Sequence, residues 1–422
     1  MSAGSRGRGP RILVLVENLS VPFDRRVWQE CLALTDAGYR VEVICPRGTK
    51  RDLEPFAEIE GVRIHRYPLT AATGGPAGYL REYAVALWHT MRIARRLSRQ
   101  EPFHVVHACN PPDLLFLIAL RLRSTGARFL FDHHDLVPEL FESRFAGGPR
   151  LLHWVSLLLE RLTFLTADGV ISTNESYRQV AITRGGLPPD RVSVVRSAPD
   201  LERFIPVEPN PALKRGKPFL ACYLGVMGPQ DGVDYALRAL AHLHGPMGRN
   251  DLHTTFIGSG DVFEESIALA RRLGLDGVVE FTGRVPDEAV QAYLSTADLC
   301  LSPDPKNPLN DVSSMNKVVE YMAMSCPVVS FDLHEARVTA GDAAVYAADN
   351  DEARFAELIA ELLDDRERRR QMGKTGRRRV EQTLSWEVSR ANLLAAYRDL
   401  LARPLRRREG DRRPQLASLR TG

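Results

Sequence analysis

The chain has 422 residues, a length that suits two domains of somewhat under 200 residues each better than one core. Hydrophobic residues make up 44% of it and charged residues 26%, which is typical of a soluble globular enzyme. The formal net charge of +3 is too small to predict nucleic acid as a partner, so we exclude that class.

The six cysteines are scattered, and no two of them follow the CxxC spacing of a zinc site or redox motif. We therefore predict reduced cysteines, no metal site and a cytoplasmic location. No run approaches the roughly 18 consecutive apolar residues of a membrane-spanning helix. Residues 1–10 lack the apolar stretch of a signal peptide and are predicted to be disordered.

The first domain, predicted over residues 11–198, alternates strand-like runs with helical segments. It opens with an apolar strand over 11–16, a loop over 17–23 and a helix over about 24–37. Such alternation predicts a parallel sheet covered by helices on both faces. Because the opening loop contains no glycine, it lacks the fingerprint of a dinucleotide-binding dehydrogenase.

Two helices of this domain are amphipathic and basic. The first covers residues 79–99 and ends in a cluster of arginines, and the second covers residues 149–166, next to Arg144 and Arg150. A helix that covers a sheet and a helix that lies on a membrane surface both present one apolar face. The sequence leaves both interpretations open for each helix.

Prolines concentrated between residues 199 and 218 break the periodicity and mark a linker. A second alternating series follows, and we predict a second Rossmann-like domain over 199–385 that faces the first across a cleft. The helix predicted at 386–402 is expected to cross back to the first domain. Residues 403–422 carry seven arginines against two acidic residues and are predicted to be a disordered tail, either attracted to an anionic membrane or simply solvated.

Glycine-containing turns follow the first three strands of the second domain. The first turn, GVMGPQDG, contains Gly228 and Gln230. The second, FIGSGD, contains Gly258, and the third, TGRVP, contains Arg284. The carboxyl ends of parallel strands meet at one edge, where glycine lets the backbone approach a ligand. A single turn of this kind is equally well explained as an ordinary connection, but three in succession predict a donor-binding edge.

FDHHDLVPE, residues 131–139, ends a strand of the first domain. Its two histidines alternate to opposite sides, so only one of them can face a given cleft, which argues against a metal site there. One histidine at a cleft edge can orient a sugar hydroxyl, and His107 is a second candidate at another strand end. Either histidine taken alone would more often be a structural histidine with satisfied hydrogen bonds. Residues 349–351 (DND) spell the DxD pattern of metal-bound sugar nucleotides, but they precede a helix, and we interpret them as an N-cap.

SSMNKVVEYMAMSCPVV, residues 313–329, is predicted to be a polar loop that opens a short helix and leads into a strand. The start of a helix offers free backbone N–H groups and the positive end of a dipole, which suit a phosphate group. Lys317 adds a charge there, and Glu320, one turn on, offers a carboxylate to vicinal hydroxyls. Alternatively, the two side chains form an ordinary surface ion pair. The position between two strand-like runs favours a nucleotide-sugar site.

The order of motifs along the chain resembles the family 4 glycosyltransferases, which have the two-domain GT-B architecture. The motifs are VVHACNPPD, FDHHDLVPE, VVRSAPDLERF, YLGVMG, FIGSGD, FTGRVPDEAVQAYLSTADLCLSP, NKVVEYMAMSCPVVS and LSWEVSRANLLAAY. They cover nearly everything from Arg11 to Leu401. The FDHHDLVPE and KVVEYMA forms look most like the subgroup that builds bacterial surface polysaccharides and O-antigens. The fold class that this resemblance implies is α/β, with two Rossmann-like parallel-sheet domains facing a cleft.

The resemblance also implies the chemistry. A nucleotide-sugar donor is held by the second domain and an acceptor by the first, and the sugar is transferred with retention of its anomeric configuration. Glu320 falls on the glutamate that binds the ribose hydroxyls, and His134 falls on the strand-end histidine near the reacting carbon. The loop amides that contact the diphosphate and the sugar fall on Ser313, Ser314 and Met315.

We therefore predict catalytic roles for His134 and Lys317. The predicted donor-binding residues are Gly228, Gln230, Gly258, Arg284, Ser313, Ser314, Met315, Asn316, Lys317 and Glu320. The predicted acceptor-side residues are Asn18, Ser20, His107 and Asn110.

The sequence departs from the family pattern in two places. Many members carry a first glutamate eight positions before the second, where this chain has Val312, and Asp311 or Asn310 is a candidate substitute. The Arg and Lys pair that usually flanks the phosphate after the first strand of the second domain is missing, which leaves Lys317 as the predicted phosphate charge. These departures leave the donor sugar undetermined.

The predicted protein is a cytoplasmic glycosyltransferase, peripheral on the inner face of the cell membrane if its basic segments bind anionic lipid. It moves a sugar from a UDP- or GDP-linked donor to a hydroxyl of a lipid-linked saccharide, and helix amides stabilise the departing diphosphate without a cofactor or metal. Two alternatives stay open. A nucleotide-sugar epimerase would turn over the donor without an acceptor, and a catalytically silent homologue, suggested by Val312, would bind nucleotide without releasing it from a sugar donor.

Overall fold

The computed structural model describes residues 9–48, 51–70, 75–144, 150–199, 201 and 204–404. The strands of the first domain are β1 (Arg11–Leu15), β2 (Arg40–Pro46), β3 (Phe56–Ile59), β4 (Val62–Tyr67), β5 (Val105–Cys109), β6 (Arg128–His133), β7 (Gly169–Ser172) and β8 (Val192–Val194). Its helices are α1 (Arg25–Asp36), α2 (Gly75–Gln100), α3 (Phe116–Arg123), α4 (Val137–Arg144), α5 (Arg150–Thr166) and α6 (Glu175–Thr183).

The first sheet has the order β3-β4-β2-β1-β5-β6-β7-β8, and its neighbouring strands are parallel except for β3 and β4. Helices cover both faces, so β1 and β5 are buried along their whole length, as expected for parallel strands. The sequence predicted this parallel core but not β3. That antiparallel edge strand is half exposed and only four residues long, so it carries little apolar signal.

The second domain repeats the arrangement with the strand order β11-β10-β9-β12-β13-β14, all parallel. Its strands are β9 (Phe219–Leu224), β10 (Leu252–Ile257), β11 (Val279–Gly283), β12 (Leu299–Ser302), β13 (Val328–Phe331) and β14 (Ala344–Ala347). Its helices are α7 (Val233–His244), α8 (Phe263–Arg272), α9 (Asp287–Thr296), α10 (Asn316–Ala323), α11 (His334–Ala340), α12 (Glu352–Asp364) and α13 (Arg366–Arg379).

The last helix, α14 (Trp386–Ala402), returns to the first domain. Its residues Leu393, Tyr397 and Leu400 are buried in the same hydrophobic cluster as Ile12 of β1. The last described helix therefore packs on the domain that contains the first described strand. The predicted disordered ends lie largely outside the described residues, because residues 1–8 and 405–422 are not among them.

Two N-caps agree with the local sequence. The Asp24 carboxylate accepts a hydrogen bond from the backbone of Val27 at the start of α1, and the Asp351 carboxylate accepts one from the backbone of Arg354 at the start of α12. The DxD-like triplet at 349–351 thus ends in a helix cap. No described helix is long and apolar enough to span a membrane.

Candidate active site

A cleft of about 540 Å³ lies between the carboxyl edges of the two sheets. The first domain contributes residues that follow β1, β6, β7 and β8, and the second contributes the turn after β9 and the start of α10. His134 and Glu320 both line this cleft, although 186 positions of sequence separate them. Strand ends of two parallel sheets are the usual location of a ligand site in this kind of fold.

The loop that leads into α10 presents free backbone donors to the cleft. Among the described residues, the N–H groups of residues 314–317 donate to no protein acceptor, as is normal for the first turn of a helix. Side chains hold the loop in place. The Ser313 hydroxyl donates to the Leu309 carbonyl over 2.7 Å and shares a hydrogen bond of 2.9 Å with the Tyr177 hydroxyl of the other domain. The loop therefore holds its backbone donors in fixed positions, an arrangement that suits an anion.

Lys317 lies at the cleft but is not a free cation. Its side chain is 8% exposed, and Nζ lies 2.7 Å from Asp304 Oδ1 and 3.7 Å from Asp231 Oδ1. Burial by itself would lower the pKa of Lys317, but these carboxylates outweigh it and raise the pKa above its usual value. The ammonium group is thus charged and already neutralised. The structure does not support a direct contact with the diphosphate as its main role.

Glu320 lies one turn further along α10 and lines both the main cleft and an adjoining cavity of about 220 Å³. Its side chain is 20% exposed, and Oε1 lies 3.9 Å from Arg25 Nη1 of the first domain. Asn316 lines the same two cavities. Glu320 and Lys317 therefore do not form the surface ion pair that was the alternative interpretation.

His134 faces the cleft on the opposite side and is held by a carboxylate. Its Nδ1 lies 3.2 Å from Asp132 Oδ2, and the Arg26 guanidinium donates to both oxygens of that carboxylate over 3.0 and 2.8 Å. Burial lowers the pKa of His134, but the charge and hydrogen bond of Asp132 outweigh it and raise the pKa to about 9. With Nδ1 engaged, Nε2–H is the donor that remains for a ligand.

A buried asparagine shapes the turn that carries this histidine. The Asn110 Oδ1 accepts hydrogen bonds from the backbone N–H groups of His134 and Asp135 over 3.0 and 3.1 Å. Its Nδ2 donates to the Asp135 carbonyl over 2.7 Å. Asn110 is 1% exposed, so it positions the histidine rather than contacting an acceptor. His133, the neighbouring histidine, points into the core, where burial lowers its pKa to about 3.

The other predicted acceptor-side residues fall into two groups. Asn18 is exposed and lines the cleft. Ser20 is buried and donates to Asp52 over 2.8 Å, and His107 is fully buried with Nδ1 2.7 Å from the Tyr397 hydroxyl. Neither of these two reaches the cleft, because both side chains point into the packing of the first domain.

His107, Cys109 and Asp132 bring potential metal-ligand atoms within 4.8 Å of one another. Their atoms are already engaged, however, since Asp132 binds Arg26 and His107 meets Tyr397. Burial raises the pKa of the Cys109 thiol well above its usual value, so a thiolate is disfavoured there. The cluster belongs to the support of His134 and does not fit a cation.

Of the three glycine-containing turns of the second domain, only the first contributes residues to the cleft. Gln230 lines the cleft, together with Gly225 instead of Gly228. Gly258 has a φ of +135°, and an added Cβ would lie 1.8 Å from the Gly225 carbonyl oxygen, so its role is to let two turns pack. Arg284 is exposed, donates to the Ser259 hydroxyl over 3.2 Å and does not line the cleft.

The position of the family's first glutamate is apolar and partly buried between the domains. Val312 packs against the cluster of Leu136, Tyr177 and Leu309. Asn310 lines the cleft, whereas Asp311 accepts a hydrogen bond from the His334 backbone and faces Lys306. Of the two candidate substitutes, the structure places only Asn310 at the cleft.

Arg196 is the basic residue of the cleft, besides Arg26, that the sequence analysis did not predict. It follows β8 and lines the cleft, and it forms no hydrogen bond or ion pair with any other described residue. Burial lowers its pKa below the usual value, and the carboxylates of Glu335 and Glu175 offset this only in part. The signal was present in the VVRSAPD segment, where a basic residue ends a buried strand.

Fold and cleft together define the class: two facing parallel-sheet domains with a two-sided site are the architecture of GT-B glycosyltransferases. Sucrose-phosphate synthase from Thermosynechococcus elongatus superposes with a TM-score of 0.75 at 20% identity, covering 94% of this chain and all of that one. HepE from Anabaena in complex with UDP-glucose superposes with a TM-score of 0.68 at 14% identity, covering 92% and 99%. The predicted fold class is confirmed.

Sequence comparison then gives the family. Residues 24–198 match the glycosyl transferase 4-like domain, and residues 218–365 match the glycosyl transferases group 1. The chain belongs to the family 4 type of glycosyltransferases and is a transferase of class EC 2.4, as the motifs predicted.

Relatives of known activity differ in their acceptors. Alpha-maltose-1-phosphate synthase of Mycolicibacterium smegmatis is 29% identical over 61% of this chain and 69% of its own length. A GDP-mannose-dependent monoacylated alpha-(1-6)-phosphatidylinositol monomannoside mannosyltransferase of Corynebacterium glutamicum is 30% identical over 46% of this chain and 52% of its own length. The surface-polysaccharide subgroup is not confirmed by them and stays a prediction.

Proposed function

We propose that this protein is a retaining glycosyltransferase that moves a sugar from a UDP- or GDP-sugar to a hydroxyl of a lipid-linked saccharide in glycoconjugate or polysaccharide biosynthesis. The observation that carries the proposal is the cleft itself. In it the free N–H groups of residues 314–317 and the carboxylate of Glu320 face His134 across the domain boundary. A location on the cytoplasmic side of the membrane is part of the same proposal.

The second domain binds the donor in this proposal. The diphosphate accepts hydrogen bonds from the free amides at the start of α10, where the helix dipole favours negative charge. Glu320, one turn on, accepts hydrogen bonds from the ribose diol, each worth roughly 1.5–3 kcal/mol because the acceptor is charged. The superposition with HepE, which was solved with UDP-glucose, is compatible with this placement.

Arg196 replaces Lys317 as the proposed cation for phosphate. The Lys317 ammonium is neutralised by Asp304, so it orders the turn after β9, while Arg196 forms no ion pair with another described residue at the cleft. As the bond between the anomeric carbon and the phosphate oxygen breaks, negative charge grows on the departing diphosphate. Amides and a guanidinium fixed before the reaction stabilise that charge. We propose that no metal ion is required, and chelation with EDTA should leave the rate unchanged.

His134 is proposed to act on the sugar side of the same bond. Its imidazolium, held by Asp132, directs Nε2–H into the cleft, where it can orient a sugar hydroxyl near the reacting carbon. The acceptor enters from the first domain, past Asn18. The Corynebacterium relative acts, by its name, on a phosphatidylinositol mannoside, which supports an acceptor that carries both a lipid and a phosphate.

The test is a screen of UDP- and GDP-sugars with lipid-linked saccharide acceptors, repeated with two variants. Glu320→Gln should raise the donor KM roughly 10- to 100-fold, the equivalent of one lost charge-assisted hydrogen bond. Arg196→Gln should raise the KM of whichever substrate places its phosphate there. A raised donor KM assigns Arg196 to the diphosphate, and a raised acceptor KM assigns it to an acceptor phosphate.

Glu264→Gln, on the exposed side of α8, is the matched control and should leave both KM values unchanged. Unaltered donor kinetics in Glu320→Gln would refute the assignment of the ribose site. Proton NMR of the product shows whether the anomeric configuration is kept. Turnover of the donor without any acceptor product would favour the epimerase or a hydrolase, and neither is the activity described for the matched families.

A further inference from the structure

Helices α2, α3 and α5 lie side by side on one face of the first sheet. Neighbouring members contact each other, and all three contribute buried residues, such as Ala86, Phe116 and Phe164, to one hydrophobic cluster. Their outward sides therefore form a continuous surface, which we call the helical face. It is defined by the exposed residues of these three helices.

Large apolar side chains are concentrated on the helical face. The described residues include twenty exposed large hydrophobic side chains, and eleven of them lie here. These eleven are Leu80, Val85, Trp88, Leu117, Leu120, Leu151, Trp154, Val155, Leu158, Leu162 and Leu165. Single exposed apolar residues are normal on a protein surface, but a contiguous group of this size indicates a surface that something covers.

Helix α5 shows that this exposure is not a by-product of sheet packing. Leu151, Leu158, Leu162 and Leu165 recur at spacings of three, four and seven residues, so they lie on one side of the helix, and that side faces solvent. Leu151 and Trp154 are 72% and 69% exposed. The polar Glu160, by contrast, points inward and is 1% exposed. The more apolar side of α5 is therefore the outward one, while Phe164 on the inner side packs into the hydrophobic cluster.

The charges of the helical face all have one sign. Every exposed charged residue on the three helices is an arginine, and no exposed acidic residue lies on them. The arginines are Arg81, Arg92, Arg95, Arg96, Arg99, Arg121, Arg150 and Arg161. None of them forms an ion pair with another described residue. Four of them also line a groove of about 1490 Å³ between α2 and the β3–β4 edge, together with Trp88.

We propose that the helical face docks on the interface of an anionic lipid bilayer. Apolar side chains enter the boundary between headgroups and acyl chains, while arginines around them meet lipid phosphates. A second copy of the chain is a poor occupant, because a two-fold contact would bring the same arginines opposite each other. A bilayer supplies both the apolar layer and the opposite charge that the face lacks.

The helical face lies close to the cleft, so docking would bring a membrane-bound acceptor near the site. This part of the inference rests on the proposed function. Helix α2 ends near the start of β5 and α5 ends near the start of β7, so both helices begin at the carboxyl edge of the sheet. The cleft opens at that same edge. Leu80 and Leu151, near the beginnings of the two helices, would thus enter the membrane close to the cleft. A lipid-linked acceptor would reach His134 without leaving the bilayer.

The experiment is vesicle co-sedimentation of the full chain, without donor or acceptor. Vesicles of phosphatidylcholine with 30% phosphatidylglycerol are compared with pure phosphatidylcholine. The double variant Trp154→Glu/Leu158→Glu should abolish binding to the anionic vesicles. The triple variant Arg95→Gln/Arg96→Gln/Arg99→Gln should weaken it by about fivefold per arginine removed. The control Ile205→Glu/Val388→Glu changes two exposed apolar residues outside the face and should bind like the unmodified chain.

Each outcome of the vesicle experiment either supports or overturns docking through the helical face. Loss of binding in the double variant, weaker binding in the triple variant and unchanged binding in the control support the proposal, since the basic tail is present in every protein. Equal loss in the control, equal binding to neutral vesicles, or no vesicle binding at all overturns it. So does a dimer, seen by light scattering, that dissociates in the double variant, because the face would then be an interface between copies of the chain.

A second readout separates this inference from the proposed function. Transfer to a soluble acceptor saccharide should be unchanged in the double variant, and transfer to the same saccharide on vesicles should fall at least tenfold. Vesicle binding through the face in a protein that uses only soluble acceptors would refute the lipid-linked acceptor and leave the docking intact.

Discussion

At the scale of single residues, the site depends on how charges are paired. Lys317 and Arg196 are both basic and both lie at the cleft, but one is neutralised by Asp304 and the other has no partner among the described residues. A buried cation that is paired with a carboxylate is already neutralised, whereas a guanidinium without an ion pair can bind an anionic ligand. This difference, rather than the spacing of Lys317 and Glu320, identifies the candidate phosphate cation.

His134 should give the enzyme a pH limit on the alkaline side. Asp132 and, more weakly, Asp135 raise its pKa to about 9, against burial and the charge of Arg26. The ordinary value is about 6.5, so the protonated imidazole stabilises the folded state fully below that pH, and the contribution is lost as the pH rises through about 9. We expect kcat/KM to fall over the same range, measured between pH 6 and 10.

Asp132→Asn is the companion variant for that measurement. It keeps the shape of the side chain but removes the charge that holds the proton on His134, so the fall in rate should move to lower pH. Thermal unfolding of the same variant reports any general loss of structure caused by the unpaired Arg26. A rate that stays flat to pH 10, or a limit that Asp132→Asn does not move, would contradict a role for the imidazolium.

At the scale of elements, α14 contacts the first domain through a buried hydrogen bond between Tyr397 and His107. Tyr397→Phe removes the hydroxyl that lies 2.7 Å from His107 Nδ1 and leaves a buried ring nitrogen without its partner. We expect a loss of about 1–3 kcal/mol in the free energy of unfolding, measured with urea. Tyr235→Phe, which removes a hydroxyl without a described hydrogen bond, should change it by less than about 0.5 kcal/mol.

The elements themselves were largely predictable. Buried parallel strands are short apolar runs, and the helices between them begin at caps such as Asp24. The local sequence is therefore enough to predict the positions of both. The edge strand β3 was missed, because half of its side chains are exposed. The direction in which α5 points its apolar side was also not predictable. Periodicity predicts that a helix has an apolar side, but it does not predict whether that side packs on the sheet or faces outward.

At the scale of the whole molecule, one polar side chain at the boundary between the two domains also holds the loop of the proposed donor site. The Asn174 side chain caps α6 by accepting from the Tyr177 backbone over 2.7 Å. Its Nδ2 donates across the boundary to the Val312 carbonyl over 2.9 Å and to the Ser314 hydroxyl over 3.1 Å. The same side chain therefore stabilises helix α6 of the first domain and holds the loop before α10 of the second domain.

Substitution should separate these two roles. Asn174→Ser keeps a capping hydroxyl but cannot span to the loop, so we expect an unchanged melting temperature and a donor KM raised roughly three- to tenfold. Asn174→Ala loses both functions and should also be destabilised by about 1 kcal/mol. Equal donor KM values in Asn174→Ser and the unmodified protein would show that the loop keeps its position without this contact.

By itself, the sequence determined the two parallel-sheet domains, the edge at which their loops meet and the chemical family, because burial of strands and the motifs at their ends are local properties. It also placed Glu320 at the cleft, and the family resemblance placed His134 there. Only the tertiary structure decided that Ser20 and His107 lie in the core, that Lys317 is neutralised and that Arg196 forms no ion pair with another described residue. These outcomes depend on partners far away in the chain, and on which side of a helix the fold leaves uncovered, and neither is encoded in the spacing of neighbouring residues.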